Sequence, residues 1–91
     1  MLAKVDGQKV NNVKINVDNV SGLGCVKLAQ KFDGRVDVHT SGGHDYLTII
    51  NVEYEEFIYI LVIFQSYLRK GCFVIVSECD NGMILSSIRA E

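Results

Sequence analysis

His39 and His44 are the two histidines of this chain, and they flank the turn Ser41-Gly42-Gly43 beside Asp37 and Asp45. Imidazole and carboxylate are competent ligands for zinc and related ions. In a hairpin, His39 and Asp37 share a face, and His44 can approach them across the turn. The spacing matches no metal motif and no cysteine joins the set. Solvated turn histidines are therefore the expectation, with no metal and no cofactor.

The remaining reactive types are equally scattered. Cys25, Cys72 and Cys79 lack CxxC spacing. Cys25 lies near a helix start, where the helix dipole lowers a thiol's pKa and makes a Cys-His pair formally possible. It also falls on an inward helical stripe, which favours a small core residue. Glu55 and Glu56 are adjacent, so on a helix they face different sides, a poor geometry for acid/base work. Ser21-Gly22-Leu23-Gly24 at a helix start offers backbone N–H groups to an anion or phosphate, with no Walker lysine or dinucleotide pattern beside it. These groups supply no set of nucleophile, base and orienting residue, and no enzyme is expected.

The elements that carry them are legible from periodicity. Asp6-Gly7 separates two apolar stretches and suggests a loose N-terminal hairpin. Val13, Ile15 and Val17 alternate with Lys14, Asn16 and Asp18, as in a half-buried strand. Cys25, Leu28, Ala29 and Phe32 then fall at helical spacing, with Asn19 or Ser21 as cap and Asp33-Gly34 as stop. Arg35–Thr40 alternates again with Val36 and Val38 inward, and Tyr46–Val52 pairs back as a hairpin. Cys72–Val76 is apolar on both alternating faces, the pattern of a shielded central strand. Asp80-Asn81-Gly82 turns the chain into a last strand, Met83–Ile88.

Between these strands lies Phe57–Phe64, an unbroken apolar run of eight residues. Glu53, Glu55 and Glu56 precede it, and Arg69-Lys70-Gly71 follows, charges suited to a helix macrodipole and a C-terminal cap. The pattern predicts a helix over 53–70, apolar on every side. Phe57, Leu61, Phe64 and Leu68 form the stripe expected against the sheet. Tyr59, Ile63 and Tyr67, with Val62 beside them, form the outer one, an apolar interface for a partner and first of all for a second copy.

The fold expected is one α+β domain over residues 1–91. It is a two-layer sandwich of two helices on a mostly antiparallel four- to five-stranded sheet, in the order β(β)-α-β-β-α-β-β. Ninety-one residues bury roughly 60–65% of the unfolded surface, enough for one modest core. The net charge of -2 argues neither for nor against a particular partner, but it divides unevenly. Residues 1–31 carry five lysines against two aspartates, and residues 33–56 carry six acids against Arg35. Solvated faces account for most of this, with head-to-tail contact between copies as the sharper reading. The lysines lack interleaved aromatics, so no nucleic acid is expected. The apolar run is far short of the roughly 20 residues of a membrane span. With no secretory signal and three unpaired thiols, a soluble, reduced, cytoplasmic protein is expected.

Two families resemble parts of this chain. Leu28-Ala29-Gln30-Lys31-Phe32-Asp33-Gly34-Arg35-Val36-Asp37-Val38, followed by Ser41-Gly42, is similar to the first helix and second strand of the histidine-containing phosphocarrier proteins (HPr). Arg69–Val76 resembles the lead into their fourth strand. The resemblance implies a regulatory or docking scaffold without phosphotransfer, because Asp18 stands where the phosphorylated histidine would fall, and Val20 and Ser21 replace the arginine and proline. Val13–Val17 leading into Ser21-Gly22-Leu23-Gly24 also resembles the strand-to-helix switch loop of STAS domains, which implies Ser21 as a modified residue. The reading that results is a non-enzymatic protein-interaction or regulatory module, self-associating through the helix. A phosphorylation- or anion-responsive domain using Ser21, Gly22 and Gly24 is the alternative.

Overall fold

The structure, a computed structural model, describes residues 9–79 and 82–90, the first two by backbone alone. Its elements run β1 (Lys9–Asn16), α1 (Gly22–Lys31), β2 (Val36–Ser41), β3 (His44–Glu53), α2 (Tyr54–Tyr67), β4 (Phe73–Glu78) and β5 (Ile84–Arg89). The sheet order is β2-β3-β1-β4-β5, with every neighbouring pair antiparallel. Each helix joins two strands that have a third between them, so the chain forms two interlocked split β-α-β units, a ferredoxin-like arrangement with β5 added at one edge. The additional strand and hairpin expected before β1 lie outside the described residues.

Alternation along the strands decides which way the sheet faces. Val13 and Ile15 of β1, Leu47 and Ile49 of β3, and Val74 and Val76 of β4 are buried on the helical side, against Leu28, Phe32, Ile60 and Phe64. Gly42 and Gly43 both take positive φ (60° and 80°), as the two-residue hairpin between β2 and β3 requires. Asn11 (φ 98°) and Asn51 (φ 54°) mark irregular register where β1 meets β3. Asn tolerates that left-handed backbone, and Asn12 Oδ1 accepts the Asn51 N–H at 2.9 Å.

The helices lie side by side, and the junction is tightest at Gly24. A Cβ built there would stand 2.8 Å from the Tyr67 Cβ, so only glycine permits the approach. Two strand-like hydrogen bonds close that end: Ser21 N–H donates to the Tyr67 carbonyl (3.0 Å) and Arg69 N–H to the Asn19 carbonyl (3.1 Å). At the other end Arg35 grips Glu56 with both guanidinium nitrogens, one at 3.1 Å, and also donates to the Asn51 carbonyl at 3.0 Å. Glu56 further accepts the Glu53 N–H at 3.0 Å, capping α2.

Several expectations are corrected. The second helix spans 54–67, not 53–70. Leu68 turns extended to bridge Val20, and Arg69 and Lys70 lie beyond the helix. Its buried line runs through Ile60 and Phe64, with Phe57, Leu61, Ile63 and Tyr67 on the flanks against the core. In α1, Ala29 is exposed and Gly24 is buried. Val38, expected inward, overhangs the core on edge strand β2 and is exposed. β4 is not shielded on both faces, since Phe73 and Ile75 point into solvent. Among the described residues, no helix is long and apolar enough to cross a membrane.

Candidate functional site

Both helices cover one side of the sheet, and no described element covers the other. Cross-strand register assigns that open side to His39, Tyr46, Lys14, Asn16, Ser77, Ile75, Phe73, Ile84, Ser87 and Arg89. Its two halves differ in kind.

Over β2, β3 and β1 the side chains pack on one another, although His39 Nδ1 is buried without a hydrogen-bond partner among the described residues. His39 lies directly opposite Tyr46, the rings stacked at 5.6 Å, and the Lys14 ammonium sits 4.3 Å above the Tyr46 ring. The Asp37 carboxylate is 3.6 Å from His39 Nδ1. At the end of β1, Asp18 accepts the Asp45 N–H (2.8 Å) and lies 2.7 Å from His44 Nδ1, with Asn16 Nδ2 also donating to it. The Asp45 amide first, and then His44, holds the Asp18 carboxyl below its usual range.

Over β4 and β5 the face is bare. Phe73 is 46% exposed, Ile75 37% and Ile84 61%, with Met83 exposed beside them. The charge at hand there is the Arg89 guanidinium, 5.6 Å from the Phe73 ring. Two shallow hollows of about 230 and 310 Å³ meet at Asn16 and Ile75. One reaches Phe73 and His44, the other Tyr46 and Ile84. Asn16 and Ile75 thus stand at the border of the polar and the apolar half.

The residues expected to carry function are placed as follows. Tyr59 is partly exposed, its ring edge against Phe32 at 6.5 Å and Lys31 over it at 5.4 Å. Val62 is 57% exposed at the crest of α2, while Ile63 and Tyr67 pack against the core. The helical ridge is therefore narrower than the four-residue interface expected. Ser21 caps α1 without a side-chain hydrogen bond, and its carbonyl already takes the Gly24 N–H at 3.0 Å. Gly22 is open to solvent, whereas Gly24 is needed for contact between the helices. His39 stays with Asp37 as expected, but His44 turns to Asp18, so the histidines divide between two places. Among the described residues no three His, Cys, Asp or Glu side chains converge as a metal site would need.

Burial pushes the Cys25 thiol up, against the lowering that a helix start alone implies. Cys72 and Cys79 are half-buried. Glu55 and Glu56 line one hollow with Lys31 and Tyr59, and Arg35 holds the Glu56 carboxyl below its usual range. Sequence reading missed the bare half of the sheet. An available signal was Phe73 and Ile75 alternating with Val74 and Val76: one face of that strand needs no cover if the strand lies near an edge.

No family model, curated protein or solved structure matches this chain. The phosphocarrier and STAS resemblances rest on their short sequence segments.

Proposed function

We propose that this protein is a non-enzymatic association module whose contact surface is the β4–β5 half of the open sheet face, with a second copy as its first partner. The observation that carries the reading is the solvent-facing cluster of Phe73, Ile75 and Ile84 on a sheet side that no described element covers. Large apolar side chains grouped on one surface lose contact with water when a partner seats on them, at roughly 25 cal/mol per Å². The same groups have little to offer chemistry, and the nearest histidine, His44, is already engaged by Asp18.

Sedimentation velocity across a range of concentrations tests this reading. The expected outcome is a concentration-dependent species of two chains, reduced to one chain by Phe73→Glu with Ile75→Glu, with the far-UV circular dichroism of the parent. A parallel Tyr59→Glu, Val62→Glu variant probes the helical ridge and is expected to leave the two-chain species in place. If the helix variant dissociates the pair and the sheet variant does not, the contact lies on α2 and this reading fails.

A further inference from the structure

The two edges of the sheet are not equivalent. β2 ends one side with Asp37 and His39 in its middle, and Asp33 and Asp45 nearby. Charges of this kind guard an edge, because a second strand laid alongside would bring like charges together. β5 ends the other side as Ile-Leu-Ser-Ser-Ile-Arg, with no acid, lysine or proline. Among the described residues of β4 and β5 the charged ones are Glu78 and Arg89. Glu78 is buried and accepts the Asn11 side-chain amide at 3.0 Å.

The hydrogen-bond phase of β5 is fixed by its pairing. Ala90 N–H donates to the Cys72 carbonyl at 3.0 Å, and the Ala90 carbonyl accepts the Gly71 N–H at 3.2 Å. Antiparallel ladders alternate, so Ile88, opposite Val74, also turns its backbone groups toward β4. Ser87 and Arg89 then turn theirs outward. A strand with outward groups at alternate residues can pair with its own two-fold copy, which offers the same groups in reverse order.

We propose that two copies join by antiparallel pairing of β5 with β5, with Ser87 of both chains at the two-fold axis, to make one continuous ten-stranded sheet. The proposal rests on the association reading above and adds the seam through which it acts. Ser87 of each chain exchanges N–H and carbonyl with its counterpart, and the irregularity of β5 between Ser86 and Ile84 limits regular pairing to the rungs around the axis. Ile84, and Phe73 and Ile75 one strand in, then flank the axis on the open side of both copies and form one apolar floor. The acids of β2 and its turns stay at the two far ends, where they do not oppose one another. Edge pairing and its flanks give an interface at the small end of stable ones, which suits a concentration-dependent dimer.

Ser87 gives the test, because its N–H turns away from β4 and an edge position tolerates proline. Ser87→Pro removes the central donor, and Ser87→Lys places two ammonium groups at the axis. Both are expected to sediment as single chains at concentrations where the parent is a pair, with the parent's circular dichroism. Should the proline variant lose structure, the lysine variant decides. Ser87→Cys treated with a short bis-maleimide is expected to yield a covalent dimer well above the parent's background. Thr40→Cys on β2 is expected to yield none above it. A parent that stays a single chain at every concentration overturns both the association reading and the seam. A pair that survives Ser87→Pro and Ser87→Lys, yet is lost in the Phe73→Glu, Ile75→Glu variant, overturns the seam alone.

Discussion

On the uncovered side of the sheet, the β2-β3-β1 half and the β4-β5 half are built from similar residue types used in opposite ways. Tyr46 and Phe73 are both aromatic and both outward, and each has a cation near its ring. Tyr46 is held by neighbours on two strands, His39 opposite it and Lys14 above it. Phe73 lies across from Arg89 alone and keeps almost half its surface in water. The difference lies in the neighbouring residues and not in position, since β3 and β4 each lie second from an edge. β2 and β1 bring His39 and Lys14 to the Tyr46 ring. β5 brings Ser87 and Arg89 to β4, and they leave Phe73, Ile75 and Ile84 exposed. In the first half the outer residues add stability to the fold. In the second they leave an apolar surface in water.

That contrast can be broken or sharpened in order of effect. Both halves lie on one core, so Phe64→Ala should cost about 3–5 kcal/mol and melt them together. Chemical denaturation followed by Tyr fluorescence and by circular dichroism checks this, and two separate transitions would show that the halves fold independently. On the paired half, Tyr46→Ala removes the ring stack and the cation contact at once. The expected loss is about 1–2 kcal/mol in a urea titration, with no change in association. A larger effect on sedimentation than on stability would place Tyr46 in the contact surface instead.

Acid should act on Asp18 at the end of β1 and on Glu56 of α2. The Asp18 and Glu56 carboxyls are both held below their ordinary values, so the folded state binds those protons less readily than the unfolded chain does. Their contribution is therefore present above the ordinary carboxylate range and is lost as pH falls through it. Melting temperature measured from about pH 7 down to about pH 3 should fall for the parent and fall less for Asp18→Asn. Equal slopes would remove Asp18 as a stabilising group. The smallest effect is expected on the bare half. Ile84→Thr should change monomer stability by no more than about 0.5 kcal/mol, while weakening the pair seen by sedimentation.

Much of the scaffold was readable because local pattern and final position agree. The Val13 and Ile15 alternation fixed the inner face of β1, and Gly42-Gly43 fixed the first hairpin. The failures share a cause, which is that a short window of sequence carries no information about neighbours far along the chain. The end of α2 is set by Leu68 pairing with Val20 and by Ser21 donating to Tyr67. The conformation of Gly24 is ordinary for a helix, and its reason is the Tyr67 side chain against it. Within Phe57–Phe64 no polar residue marks which side faces water, so the run carries no phase, and its pattern places Ile63 and Tyr67 outward although they pack against the core. The apolar residues of β4 imply cover on both faces, whereas cover depends on neighbours in the sheet, a property of topology and not of composition. The Arg35–Glu56 pair joins residues 21 apart in the chain.

The order of strands also gives the molecule a direction of mechanical weakness. β1 is bonded on both flanks, to β3 and to β4, whereas among the described strands β5 is bonded to β4 alone. A pull applied beyond Arg89 peels β5 away one rung at a time, and the load never spreads over more than a few bonds. A pull applied before Lys9 must draw the middle strand out from between two neighbours, shearing both ladders together. A ring-shaped unfolding motor that threads this chain from its carboxyl side should therefore stall less often than one that starts from the amino side.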